Sequence, residues 1–288
     1  MSPTPLRQQI AAADGQPLEV YSLPAAGTAS GRSVLLVHGS GCGWEYWDAP
    51  APATGIMRYL SERGHAVFAL QSRGYGDSAV ADGRRVNAAS IADDLEAVCR
   101  AIAPGASVCL AGHSSGGYPV MKFAARQPER VARIAVLGMP FRAISAGFAG
   151  YLAMTLASLD PAGNGYVENS HHRDLASRIG RSHPAVMEWY RSLIERRYRR
   201  IPAGVLADVA DLPSAASPEA VHAATMVVQG QLDHVPAAGD GAALFEAIAS
   251  CDKSLVTVPG SWHLPFLEIE GSARVAALLD AWFRLPVA

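Results

Sequence analysis

Ser114 stands at the centre of Gly112-His113-Ser114-Ser115-Gly116, a G-x-S-x-G pentapeptide that follows the apolar run 107–111. A serine hydroxyl is a weak nucleophile until a base takes its proton, so the chemistry requires a base and an orienting acid elsewhere in the chain. Of the nine histidines, His263 follows the last expected strand, in Pro259-Gly260-Ser261-Trp262-His263, where a loop side chain can reach the serine. Asp233 follows another expected strand, in Gly230-Gln231-Leu232-Asp233, placed to accept the Nδ1 proton of that histidine. The chain order Ser, Asp, His is one of the known triad orders. Taken singly, each residue has a plainer reading: a buried serine in a tight turn, an aspartate in a surface turn, a histidine flanking a helix. Their joint occurrence after strands favours nucleophilic catalysis by Ser114, His263 and Asp233.

The elements that must position these residues alternate along the chain. Two short runs around Asp14-Gly15 predict a β-hairpin. The run 33–38 is apolar and β-branched, as expected of a strand buried on both faces, and ends in Gly39-Ser40-Gly41-Cys42-Gly43, a candidate oxyanion loop. A helix over 54–63 stopped by Gly64, a strand over 66–70, and a helix over 90–102 with Ser90 as N-cap and Asp93 at its positive end follow. After the pentapeptide comes a helix to about Arg126, with Pro119 early in it, and then a strand over 133–137. Alternation stops over 141–218, where breakers such as Asn164-Gly165 and Ile201-Pro202 separate helices and no buried strand is evident. It resumes with strands over 225–229 and 254–258 and helices over 237–249 and 272–283. This predicts an α/β fold with a mainly parallel sheet, a core formed by 1–140 and 219–288, and 141–218 as an inserted helical cap. In such sheets ligands bind at the carboxyl ends of the strands.

Composition narrows the class. The 288 residues are half apolar and carry a net charge of −2, which suits a globular protein with a small-molecule substrate and gives no electrostatic case for nucleic acid or a membrane surface. The four cysteines are far apart, against a zinc site or a disulfide framework. Arg7, Asp14 and Glu19 interrupt the segment where a signal peptide needs its apolar stretch, so a cytoplasmic protein is expected. The sequence is also compatible with a homodimer.

Through His38-Gly39, the loop Arg73-Gly74-Tyr75-Gly76-Asp77-Ser78, the pentapeptide, Gly230 with Asp233, and Gly260 with His263 and Glu268, the chain resembles the α/β-hydrolase superfamily, nearest its capped bacterial esterase and haloperoxidase-like members. The resemblance implies an eight-stranded sheet, backbone amides of Ser40 and Ser115 as oxyanion donors, an acyl-enzyme mechanism, and no metal or organic cofactor. One departure is Gln71, where relatives usually carry an aspartate, which touches the packing of that loop and not the chemistry.

Specificity is less sharply written. Gly39, Trp44, His113, Phe148, Tyr151, Trp189 and Trp262 are candidates for the substrate pocket, with Met154 and Tyr190 beside them, although packing of the cap on the core explains the aromatic residues equally well. Arg191, Arg196, Arg197, Arg199 and Arg200, with the cluster His171-His172-Arg173, either attract an acidic substrate or form a solvated, salt-bridged face with Glu188 and Glu195. The leading expectation is a serine hydrolase acting on an ester or thioester of a small apolar molecule. The alternatives are amide or carbon–carbon bond cleavage, a non-hydrolytic biosynthetic step, or a ligand-binding receptor on the same fold.

Overall fold

The computed structural model describes residues 4–27, 32–170 and 182–286. Its strands are β1 (Leu6–Ala11), β2 (Pro17–Leu23), β3 (Ser33–Val37), β4 (Ala66–Gln71), β5 (Val108–His113), β6 (Val131–Leu137), β7 (Tyr166–Glu168), β8 (Arg200–Pro202), β9 (Ala224–Gly230) and β10 (Lys253–Val258). Eight of them form one sheet in the order β1-β2-β4-β3-β5-β6-β9-β10. Only β2 runs against its neighbours; every other pairing is parallel. The continuous apolar runs of β3, β5 and β6 are buried along their length, because helices cover both faces of the sheet.

The helices are α1 (Ile56–Glu62), α2 (Ala88–Ile102), α3 (Gly117–Arg126), α4 (Ala146–Ala157), α5 (Pro184–Arg197), α6 (Ala203–Ala210), α7 (Leu212–Ala215), α8 (Asp240–Ala247) and α9 (Ile269–Arg284). α2 packs on α3 and α1 on α9. The buried stripe Ile91, Leu95, Val98 of α2 fixes that contact, as its 3.6-residue periodicity predicts. Its start differs from expectation. Asn87, not Ser90, is the N-cap: the Asn87 side chain accepts from Ser90 N at 3.0 Å, and the Ser90 hydroxyl accepts from Asn87 N at 3.1 Å. Ser90 is the reciprocal partner of a capping box, and its position one turn inside the helix is what makes it look like a cap. Asp93 lies beyond the first turn and pairs with Arg126 of α3 at 2.8 Å.

Between β6 and β9 the chain leaves the sheet. The expectation of helices alone is corrected here: β7 and β8 pair antiparallel, Val167 facing Ile201. Both residues are buried, but strands of three residues are too short to display a period in sequence. The cluster His171-His172-Arg173 lies outside the described residues. Among the described residues no helix is long and apolar enough to cross a membrane, and no group of three or more His, Cys, Asp or Glu side chains is arranged to hold a metal ion.

Candidate active site

β5 delivers Ser114 at a sharp elbow. The serine has φ +52°, a conformation in which few non-glycine residues rest without support, and its side chain sits on the turn 114–116 between β5 and α3. The support comes from close backbone packing. A Cβ on Gly116 would lie 2.3 Å from the His38 carbonyl oxygen, and one on Gly112 would lie 2.5 Å from the Gly116 carbonyl oxygen. Glycine at both positions lets the chain turn back over the end of β3.

The loops after β9 and β10 are joined to each other. Leu232 N donates to the Ser261 carbonyl at 2.8 Å and Gln231 N to the Val258 carbonyl at 3.0 Å, while Gly260 N donates to the Gln231 side chain at 2.8 Å. The buried Glu268 carboxylate accepts from Trp262 N at 2.8 Å, fixing the far side of the second loop. This pairing brings Asp233 to His263. The histidine Nδ1 donates to the Asp233 carboxylate, at 3.0 Å from Oδ1 and 2.9 Å from Oδ2, and Val235 N holds Oδ1 at 2.9 Å. With the proton on Nδ1, Nε2 accepts from the Ser114 hydroxyl at 3.1 Å. Ser114, His263 and Asp233 are all nearly buried, so water competes little with these bonds. The arrangement suits removal of the serine proton during attack on an electrophile and its return to a leaving group.

The loop after β3 faces the elbow. Gly39 abuts Ser114, since a Cβ there would lie 3.1 Å from the Ser114 Cβ. Burial drops the His38 pKa to about 4, so its ring is neutral; Nε2 accepts from Ser72 N at 3.1 Å and Nδ1 donates to the Gly39 carbonyl at 2.8 Å. In a trans peptide, holding the Gly39 carbonyl turns the Ser40 N–H the opposite way. Among the described residues that N–H has no acceptor. Tyr75 donates to the Ser40 carbonyl at 3.0 Å.

A buried chain of hydrogen bonds runs beneath the site. Gly39 N donates to the Tyr46 hydroxyl at 2.6 Å, the hydroxyl donates to His113 Nδ1 at 3.2 Å, and His113 Nε2 donates to the His263 carbonyl at 2.9 Å. It ties the loops that follow β3 and β10 to the strand that leads into Ser114.

A family model described as serine aminopeptidase, S33, matches residues 31–270. The chain belongs to this family. It is a hydrolase of the α/β-hydrolase superfamily. Among curated relatives, a monoacylglycerol lipase of Mycolicibacterium smegmatis is 26% identical over 262 residues, 87% of this chain and 88% of the lipase. A 2-hydroxy-6-oxononadienedioate/2-hydroxy-6-oxononatrienedioate hydrolase of Escherichia coli is 33% identical over 114 residues, spanning 37% of this chain and only 36% of that enzyme's length. A solved thermophilic esterase from Thermogutta terrifontis shares the fold with a TM-score of 0.69 at 24% identity, covering 97% of this chain and 98% of its own.

In this hydrolase the pocket candidates scatter. Gly39 borders Ser114, and Trp262 lies on the loop that carries His263, edge-on to His234 at 5.6 Å. His113 lies below the site, buried edge-on against Phe266. Trp44 stacks on Tyr21 of β2 at 4.0 Å, and Trp47 packs with Tyr46 and Phe266. Phe148 and Tyr151 share one side of α4, 5.9 Å apart, while Met154 is 70% exposed. Trp189 is half-buried on α5, beside the fully buried Tyr190. α6 packs on the elbow turn.

The arginine-rich stretch divides as well. Arg191 pairs with Glu188 at 2.8 Å and Arg199 with Glu168 at 3.4 Å, both at the surface. Arg197 instead reaches the core, bonding Glu45 at 2.7 Å and Asp77 at 3.1 Å. Sequence reasoning missed Tyr46, Gly138 and Asn169. Gly138 has φ +55°, and a Cβ there would lie 2.9 Å from Asp233 Oδ2 and 3.2 Å from His263 Nδ1. Its place directly after a strand, ahead of Met139-Pro140, is the one signal that was available.

Proposed function

We propose that this chain is a serine hydrolase that cleaves a carboxylic ester or thioester of a small apolar molecule through an acyl-enzyme. The alignment of Ser114 Oγ, His263 Nε2 and the Asp233 carboxylate carries the reading. Ser114 attacks the carbonyl carbon as its proton passes to His263, and Asp233 steadies the imidazolium. The oxyanion is received by the amides of Ser40 and Ser115; each such donor is typically worth about a hundred- to a thousandfold in rate. His263 then protonates the leaving alcohol or thiol, and water activated by the same nitrogen releases the acid. The 141–218 segment acts as the cap, with Phe148, Tyr151, Trp189 and Trp262 as lining for the acyl chain. The near full-length similarity to a monoacylglycerol lipase supports an ester substrate.

A second reading, hydrolysis of a carbon–carbon bond next to a carbonyl, draws on the local similarity to the 2-hydroxy-6-oxononadienedioate hydrolase. The same nucleophile and base serve both reactions. The test is fluorophosphonate labelling and p-nitrophenyl ester turnover by the wild type and Ser114→Ala, followed by a panel of esters, thioesters and vinylogous diketones. Labelling and turnover that vanish in Ser114→Ala are expected; full turnover by that variant refutes the proposal. Faster cleavage of the diketones than of any ester would favour the second reading.

A further inference from the structure

The loop that carries the Ser40 amide has glycine at 39, 41 and 43, so little in its own backbone fixes its shape. Side chains fix it instead. His38, Tyr46 and Tyr75, all from the sheet side, hold the peptide groups of Gly39 and Ser40. The rest of the loop is held from the 141–218 segment. Asn169, buried just after β7, donates from Nδ2 both to the Gly41 carbonyl at 2.8 Å and to the Tyr198 carbonyl at 2.7 Å. Tyr198, fully buried between α5 and β8, donates to Glu45 Oε2 at 2.6 Å, with Gln71 Oε1 at 3.1 Å as a second acceptor. Its hydroxyl fills the space beside Gly43, where a Cβ would lie only 2.1 Å away. Gln71 also accepts from Trp44 N at 3.3 Å, which accounts for a neutral acceptor at a position where the resemblance leads one to expect an aspartate. A second carboxylate there would face that of Glu45 across one hydroxyl.

Packing alone does not explain Asn169. Among the described residues its buried Oδ1 has no hydrogen-bond partner, a cost that an apolar side chain of the same size would avoid. What the amide provides is two donors, one spent on the loop and one on Tyr198. Only the Ser40–Gly41 peptide bond separates the Gly41 carbonyl from the Ser40 N–H, so the tie acts close to the donor.

We propose that Asn169 and Tyr198 are positioning residues that hold the Ser40 amide in line with Ser114, making the 141–218 segment part of the oxyanion site as well as its cover. The inference rests on the serine-hydrolase reading above. It concerns the tetrahedral species and not the substrate, so loss of these bonds raises the barrier and leaves ground-state binding in place.

Tyr198→Phe and Asn169→Leu in the full chain test it, with p-nitrophenyl acetate turnover, the rate of fluorophosphonate labelling, and inhibition by a boronic acid that forms a tetrahedral adduct. Both variants should lose about ten- to a hundredfold in kcat and in labelling rate, a size typical of small misplacements at a reacting centre. The boronic acid should weaken by the same factor while KM stays within about threefold. Should Asn169→Leu fail to fold, Asn169→Asp keeps the shape, removes both donors and is read in the same way. Folded variants with wild-type kcat and labelling, or with a raised KM at unchanged kcat, overturn the inference alone. A wild-type protein that neither labels nor turns over esters overturns it together with the function on which it rests.

Discussion

Gly138→Ala is a direct test of how the Asp233–His263 pair is held. The added methyl would start 2.9 Å from Asp233 Oδ2 and 3.2 Å from His263 Nδ1. An ordinary contact needs roughly 3.4 Å or more, so the carboxylate must retreat by about 0.5 Å or the glycine backbone must move. The backbone is tethered by Gly138 N to the Val228 carbonyl at 2.8 Å, so the carboxylate yields first. Bonds of 2.9 and 3.0 Å then stretch or tilt, and the imidazole loses its fixed direction toward Ser114. Complete loss of the orienting acid in sites of this type costs about 10⁴ in rate; a half-ångström displacement should cost about ten- to a hundredfold in kcat. Alanine also strains the backbone at φ +55°, by about 1–2 kcal/mol. Gly239→Ala separates the two effects, because Gly239 has φ +83° with nothing within 4 Å of the added atom. Both variants should lose similar stability in urea titrations, and only Gly138→Ala should lose turnover of p-nitrophenyl acetate. Equal turnover by the two variants refutes the steric argument.

Two further perturbations bear on the loop after β3. Tyr46→Phe leaves Gly39 N without its buried acceptor and removes the hydroxyl's bond to His113, and should lower stability by about 1–3 kcal/mol at an unchanged denaturant slope; a midpoint equal to that of the wild type would show that the chain of bonds contributes nothing. His38 has a folded pKa pushed down from 6.5 to about 4, so the unfolded chain binds more protons between those values and stability falls as pH falls through that window. The full effect is about 3 kcal/mol, and His38→Asn should remove that part of the pH slope; an unchanged slope between pH 7 and 4 counts against a neutral, buried His38.

Much of this fold is written locally. β3, β5 and β6 are mostly apolar, with no alternation of polar residues, because both faces are covered, and Ser114, Asp233 and His263 stand out because each follows a strand. The small sheet of β7 and β8 is invisible for the opposite reason, since three residues carry no period. Tyr46, Gly138, Asn169 and Tyr198 matter through partners between 7 and 153 positions away, and residue type alone does not announce such pairings. The start of α2 is written locally too, since Asn87-Ala-Ala-Ser90 has capping-box spacing and the first polar residue of such a pair is the cap.

The left-handed conformation of Ser114 has a consequence for how this protein ages in evolution. At φ +52° any side chain is disfavoured against glycine by about 1–2 kcal/mol, so Ser114→Gly should be inert yet more stable than Ser114→Ala. A lineage that kept the fold but abandoned the reaction would gain stability by losing this one side chain. The side chain that carries the hydroxyl is thus a standing burden on the folded state, worth carrying only while it is in use.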